Sequence, residues 1–364
     1  MEEYGFELKT AEVLIKHAEA RANVGDAKGA TAFYERAIDK YEKLATKLPE
    51  RKDEFLALIK QCQDSINSLP EIVNKVNQEK KETNIDPDRQ KILEEGLKEL
   101  DSLVGLSNIK KRIDIIIKLL KIEAKKVEAG LPASNSVSHK RLIFVGNPGT
   151  GKTLVTHILA KIYFGLGIIN HNRVLEVNRS QLVAPYIGQT ALKTRAIIER
   201  ALGGILLIEQ PYELVSRPND TGIEALDEIL QAIEEHRDDL VIVFTGYSDR
   251  MEKFLNDNSC LTAKFLRPIG FDDYSDEELI AIFKQLCDEN GFTYAKEECL
   301  ECLKEIIQVE RNNKSPEAFD NARFIRNVFE EVMENHYFRT KGNKDSSRNL
   351  ELDDFKEVLT KKKN

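Results

Sequence analysis

Between an apolar run at Arg141–Val145 and an amphipathic helical pattern, the chain carries Gly146-Asn147-Pro148-Gly149-Thr150-Gly151-Lys152-Thr153. The glycines free the backbone to turn successive N–H groups inward around one point, a shape that Cβ-bearing residues obstruct. A strand has to deliver such a loop and a helix has to leave it, so that the helix N-terminus adds its partial positive charge. The concavity suits a phosphate. Residues Gly146 to Gly151 line it, Lys152 reaches the outer phosphates, and Thr153 offers a hydroxyl to Mg²⁺. ATP with Mg²⁺ is the expected ligand.

The flanking sequence supplies the alternation this loop requires. Arg141–Val145, Val174–Val177, Ile205–Ile208 and Leu240–Phe244 are strand-sized apolar runs, separated by helical patterns near Asn108–Glu128, Lys152–Phe164, Thr190–Ala201 and Gly222–Arg237. That order predicts an α/β architecture over residues 100–270, a parallel sheet covered on both faces. After Tyr274 the strand signals stop. Ser275 and Glu278 spell a capping box, and residues 271–364 read as an all-helical subdomain.

Upstream, residues 1–80 read as a small all-α three-helix bundle. Its apolar faces are Ala11, Leu14, Ile15, Ala18 and Ala22; then Ala30, Phe33, Ala37, Ile38, Tyr41 and Leu44; then Phe55, Leu58, Ile59, Cys62, Ile66 and Leu69. Gly25-Asp26 breaks the first helix and Pro70 is expected to stop the third. The charged stretch 81–99 reads as a linker.

With 41% hydrophobic and 32% charged residues, the 364-residue chain has material for two or three cores. A net charge of −8 disfavours nucleic acid held by bulk electrostatics, and no nucleic-acid partner is expected. No apolar run is long enough to span a bilayer and no signal-like segment opens the chain, so a cytoplasmic protein is expected. Cys62, Cys260, Cys287, Cys299 and Cys302 are too scattered for a disulfide framework, and Cys299-x-x-Cys302 reads as a helix face. The six histidines lie apart and suggest no metal site or triad.

Further strings follow in a shared order: Leu103-Val104-Gly105-Leu106, Tyr186-Ile187-Gly188-Gln189-Thr190, Gly203-Gly204-Ile205-Leu206-Leu207-Ile208, Gly246-Tyr247-Ser248-Asp249-Arg250-Met251 and Asn321-Ala322-Arg323. Over roughly residues 100–340 the chain resembles AAA+ ATPases, in the branch that holds CbbX and stage V sporulation protein K. The resemblance implies a P-loop AAA+ module with a C-terminal helical lid, assembled as a homo-oligomeric, hexameric ring with ATP between subunits. Tyr186-Ile187-Gly188 then matches the pore loop that grips a protein client. Tyr247 stands where sensor 1 sits. Arg323 matches sensor 2, with Arg326 one turn on as the alternative. The N-terminal pattern resembles an MIT domain and, more loosely, a TPR unit, which implies a groove for a partner's amphipathic helix. A bundle serving oligomerisation is the other reading.

Three positions depart from the family pattern. Where it has Asp then Glu, this chain has Glu209 and Gln210. Glu209 keeps a carboxylate for Mg²⁺, whereas Gln210 cannot accept a proton from water, and losing a general base costs about 10²–10⁴ in rate. Where the family has an arginine finger, Lys264 keeps the charge without the planar fork, and Arg267 lies three residues on. The departures reflect either relaxed hydrolytic machinery or, at Gln210, a substitution that traps the ATP state. Two functions follow: a motor that remodels a protein client with slow or lost hydrolysis, or a pseudo-ATPase scaffold in which ATP holds the oligomer and the bundle recruits partners. A helicase or clamp loader is disfavoured by the acidity and the aromatic pore loop.

Overall fold

The computed structural model describes residues 2–23, 27–82, 87–128, 137–186, 188–215, 221–237, 239–294, 297–340 and 348–363. The chain divides into two compact units, Met1–Pro87 and Asp88–Asn364.

The first unit is the bundle: α1 (Glu2–Asn23), α2 (Ala27–Lys47) and α3 (Lys52–Glu82). Ala11, Ala18 and Ala22 of α1 and Ala30 and Ala37 of α2 are buried, so small side chains let the two helices approach closely. Tyr41 stacks on Phe55 at 6.3 Å and joins α2 to α3. The break expected at Gly25-Asp26 lies outside the described residues. Pro70 does not stop the third helix, which runs on to Glu82. A proline deletes one i→i−4 bond and costs about 3 kcal/mol, which a long helix anchored by buried Phe55, Ile59, Cys62 and Leu69 sustains.

The second unit opens with α4 (Pro87–Ser102) and α5 (Ser107–Glu128). Most of the stretch expected to be a linker is therefore helical. Leu100 is buried in the core, and Lys161 pairs with Glu99 across to the helix that follows the phosphate loop. Leu93, Leu97 and Leu100 recur at helical spacing within a charged surround, which masked the amphipathic face.

Then follow β1 (Arg141–Gly146), α6 (Lys152–Gly165), β2 (Val174–Val177), α7 (Arg179–Leu182), α8 (Thr190–Ala201), β3 (Ile205–Glu209), α9 (Gly222–Glu235), β4 (Val241–Gly246), α10 (Ser248–Asp257), α11 (Ser259–Thr262) and β5 (Ile269–Phe271). The strands form one parallel sheet in the order β2-β3-β4-β1-β5. Alternate residues feed opposite cores. Ile143, Leu206, Ile208, Ile242 and Phe244 pack one way, while Leu142, Phe144, Leu207 and Val243 pack the other, against α5 and α6. Three apolar residues were too short a run to reveal β5 in the sequence.

The lid comprises α12 (Asp276–Asn290), β6 (Thr293–Tyr294), α13 (Glu297–Asn313), α14 (Asn321–Thr340), β7 (Asn349–Leu350) and α15 (Leu352–Lys363). The capping box forms as expected: Ser275 Oγ accepts from Glu278 N at 3.2 Å, and Glu278 Oε2 accepts from Ser275 N at 2.8 Å. The lid is not wholly helical, because β6 and β7 pair in parallel over two residues each. Cys287, Cys299 and Cys302 are buried in its core, and among the described residues none of them forms a disulfide. Among the described residues no helix is long and apolar enough to cross a membrane.

Candidate functional site

Parallel strands direct their carboxyl ends, and whatever the following loops carry, to one edge of the sheet. Here β1 ends in the phosphate loop, β3 ends in Glu209, and β4 ends at Gly246 beside Tyr247. The loop backbone is fixed by contacts that leave no room for side chains. At Gly146 (φ +148°) a Cβ would lie 2.3 Å from the Phe271 carbonyl oxygen, and at Gly149 (φ +72°) 1.9 Å from that of Asp320. Lys152 folds its ammonium back over the loop, donating to Gly146 O at 2.8 Å, Asn147 O at 2.6 Å and the Thr150 hydroxyl at 3.3 Å.

Burial first, and then the neighbouring Arg323 guanidinium, push the Lys152 ammonium down to about 8 against the opposing pull of Asp273 and Glu209. Two cations thus converge above a cradle of backbone donors at the N-terminus of α6. That arrangement fits a polyphosphate, whose charge relieves their repulsion. Arg323 occupies the first turn of α14, where the resemblance puts sensor 2. Arg326, the alternative, is exposed one turn away.

The lid grips the loop through Asp273, Asn321 and Ala322, whose contacts span too much sequence for a local motif to show. Asp273 accepts from Asn147 Nδ2 at 3.1 and 3.0 Å and from Asn321 Nδ2 at 2.8 Å. Asn321 Nδ2 also reaches Pro148 O at 3.2 Å, and its Oδ1 accepts from Tyr274 N at 3.1 Å. Ala322 N donates to Gly149 O at 3.2 Å. Asn321 is fully buried at φ +46°, a region that asparagine tolerates better than most residues. The signal in the sequence is the string Asn321-Ala322-Arg323, whose first member latches the loop while its third supplies the cation.

The opposite wall is built differently. Glu209 is half-buried at the last position of β3 and pairs in register with Thr245 of β4. Its carboxylate and the half-buried Thr153 hydroxyl are hard oxygen donors of the kind Mg²⁺ takes alongside phosphate oxygens and water. Among the described residues no group of three His, Cys, Asp or Glu gathers as an all-protein metal cage. Gln210 turns sharply, at φ +50°, with its N–H on Thr245 O at 2.7 Å and its carbonyl accepting from Glu213 N at 2.9 Å. It is exposed, while Pro211 behind it is buried. Tyr247 is half-buried against the core, its ring under Arg250 at 5.7 Å.

The structure ties Lys264 to Glu234 of the same subunit, a carboxylate shared with Arg237. Arg267 is exposed. Tyr186 stands 69% exposed on a stem pinned at both ends, by Thr190 Oγ1 accepting from Ala184 N at 3.1 Å and by Lys193 Nζ donating to Val183 O at 2.9 Å. Gly188 (φ +80°) follows it, and Ile187 lies outside the described residues.

This assembly of parallel sheet, phosphate loop and lid agrees with two family models: the ATPase family associated with various cellular activities (AAA) over residues 142–269, and the AAA lid domain over residues 275–364. The chain belongs to the AAA ATPase family, and membership implies nucleotide binding. It is 36% identical over 243 residues to stage V sporulation protein K of Bacillus subtilis, covering 66% of this chain and 74% of that protein. It is 37% identical over 263 residues to the chloroplastic ribulose bisphosphate carboxylase/oxygenase activase of Cyanidioschyzon merolae, covering 70% and 87%. Protein CbbX of Cereibacter sphaeroides is 39% identical over 239 residues, covering 65% and 75%. Neither family match reaches the N-terminal bundle.

Proposed function

We propose that this chain is the ATP-binding subunit of a ring that remodels a protein client, with hydrolysis throttled by the residues at the end of β3. The observation that carries the reading is the paired cationic charge of Lys152 and Arg323 over the loop, together with the depressed Lys152 ammonium. Lys152 leaves the Gly146 and Asn147 carbonyls to hold the outer phosphates. Thr153 and Glu209 supply oxygens to Mg²⁺, which when bound neutralises phosphate charge. Gln210 orients a water through its amide but takes no proton from it. Arg267, exposed where Lys264 is tied to Glu234, is the better-placed cation for a neighbour's nucleotide. Tyr186 contacts the client, and the bundle recruits partners.

A second reading, in which ATP serves as structural glue in a scaffold without turnover, draws on the exposure of Gln210 and its strained backbone. The experiment compares the protein with its Gln210→Glu variant for MgATP affinity and turnover. Both bind equally, and the remodelling reading expects the variant to turn over about 10²-fold faster or more. Binding without turnover in either form defeats the motor.

A further inference from the structure

Two stretches of chain press on the phosphate loop from the lid side, and their meeting residues lie 47 positions apart. The first leaves β5: Asp273 holds Asn147, and the Tyr274 hydroxyl reaches Thr150 O at 3.4 Å. The second opens α14: Asn321 holds Pro148 O, Ala322 holds Gly149 O, and Arg323 comes next. The two stretches meet where Asn321 Oδ1 accepts from Tyr274 N. A side chain in the last turn of α13 joins them a second time. Arg311 Nε donates to Asp276 Oδ1 at 2.9 Å and its Nη2 to Tyr274 O at 2.5 Å. Its guanidinium also lies over the ring of Phe319, 4.4 Å from the centroid. Phe319 is buried, and its ring packs on that of Phe324, the neighbour of Arg323 in α14, at 5.7 Å. Just past the helix end, Lys314 donates to Asp320 Oδ2 at 3.1 Å and pairs with Glu310 at 2.9 Å.

A guanidinium suits this task. Its planar fork bonds two acceptors in fixed directions while its face stacks on a ring, a set that an ammonium on a flexible stem does not reproduce. The bonds of Arg311 go to the lid, whereas Arg323 stands near enough to Lys152 to help hold its ammonium below the ordinary lysine range. We infer that Arg311 is a positioning residue for ATP: through Tyr274 and Phe319 it sets where the Arg323 guanidinium stands over the phosphate loop. The consequence is specific to the outermost phosphate. ADP lacks the group that the second cation serves, so misplacing Arg323 costs ATP more than ADP. General loosening of the lid costs both alike. The inference rests on the ATP-binding reading above.

Calorimetry of the full chain with MgATP and with MgADP tests it, at a temperature where circular dichroism shows each variant folded. Arg311→Met keeps the length of the side chain and loses its bonds. Its ATP affinity is expected to fall about tenfold and its ADP affinity about threefold or less, so the preference for ATP shrinks. Arg311→Lys keeps a charge for Asp276 without the fork. It is expected to lose most of the preference as well, and it decides the matter if the methionine variant does not fold. In an Arg323→Ala background, Arg311→Met is expected to leave the ratio of the two affinities unchanged, because its effect passes through the missing residue. A folded Arg311→Met with the parent's ratio, an equal loss for both nucleotides, or a further loss of ratio in the Arg323→Ala background overturns the inference. So does full recovery by Arg311→Lys, or a parent without a preference for ATP. A parent that binds neither nucleotide overturns the earlier reading instead.

Discussion

The loop after β1 and the turn after β3 leave the same edge of the same sheet, with only β4 between them, yet they are built on opposite principles. The loop is made of backbone. Its glycines press against Phe271 and Asp320, and its carbonyls are held by Asn321 and Ala322 of the lid. The turn is made of side chains on a backbone bent against its preference, at φ +50° in a non-glycine residue. Binding machinery built from main chain tolerates little change of residue. Hydrolytic machinery built from side chains can lose its chemistry by a single exchange and keep its shape, as Gln210 keeps the shape of a glutamate.

Removing the loop's one indispensable side chain gives the largest effect. Lys152→Ala is expected to weaken ATP binding by at least about 100-fold, because charge-assisted bonds to phosphate are among the strongest available. Unchanged affinity in calorimetry would break the comparison at its root.

Asn321→Ala asks whether the lid keeps the loop firm. It strands the Pro148 carbonyl and leaves Asp273 with Asn147 as its side-chain partner at the loop, so a stability loss of about 1–3 kcal/mol is expected, with weaker nucleotide binding. A melting curve identical to the parent's would assign the firmness to the glycines alone.

The Lys152 ammonium gives a pH signature. In the nucleotide-free protein it titrates at about 8 instead of 10.5, chiefly through burial. Phosphate restores the charged form, so binding takes up a proton above pH 8 and affinity falls by up to about tenfold per pH unit there. Between about 8 and 10.5 the unfolded chain holds the proton that the folded one has lost, so nucleotide-free stability rises with pH over that window. Calorimetry in two buffers of different ionisation enthalpy counts the proton.

The smallest effect belongs to the turn. Gln210→Gly is expected to raise stability by up to about 1 kcal/mol, since glycine adopts a positive φ without penalty. A drop would mean that the glutamine side chain, and not the bend, organises the end of β3.

The strands, the phosphate loop and the lid's first cap were legible because each is local: period, glycine spacing and a box of four residues suffice. Helix α8 begins at Thr190 and ends at Ala201, where the pattern placed it. What stayed hidden depends on distance or context. Asn321 meets Pro148 across 173 residues, a partnership no window reveals. Pro70 reads as a stop because its local cost is real, although the packing of the preceding turns outweighs it. Lys264 pairs with Glu234 of its own subunit across 30 residues, another contact that no local window reveals.

The latch between Asn321 and the loop also sets an order of events during synthesis. When Pro148 leaves the ribosome, the asparagine that holds its carbonyl is still 173 residues away. At bacterial to eukaryotic elongation speeds that interval is on the order of ten to thirty seconds. Over that time the nascent sheet can form and its strands can pair, but the nucleotide cradle lacks its second cation and two of its carbonyl partners. A subunit made only as far as the sheet therefore lacks the contacts that complete the cradle, and they arrive with the lid.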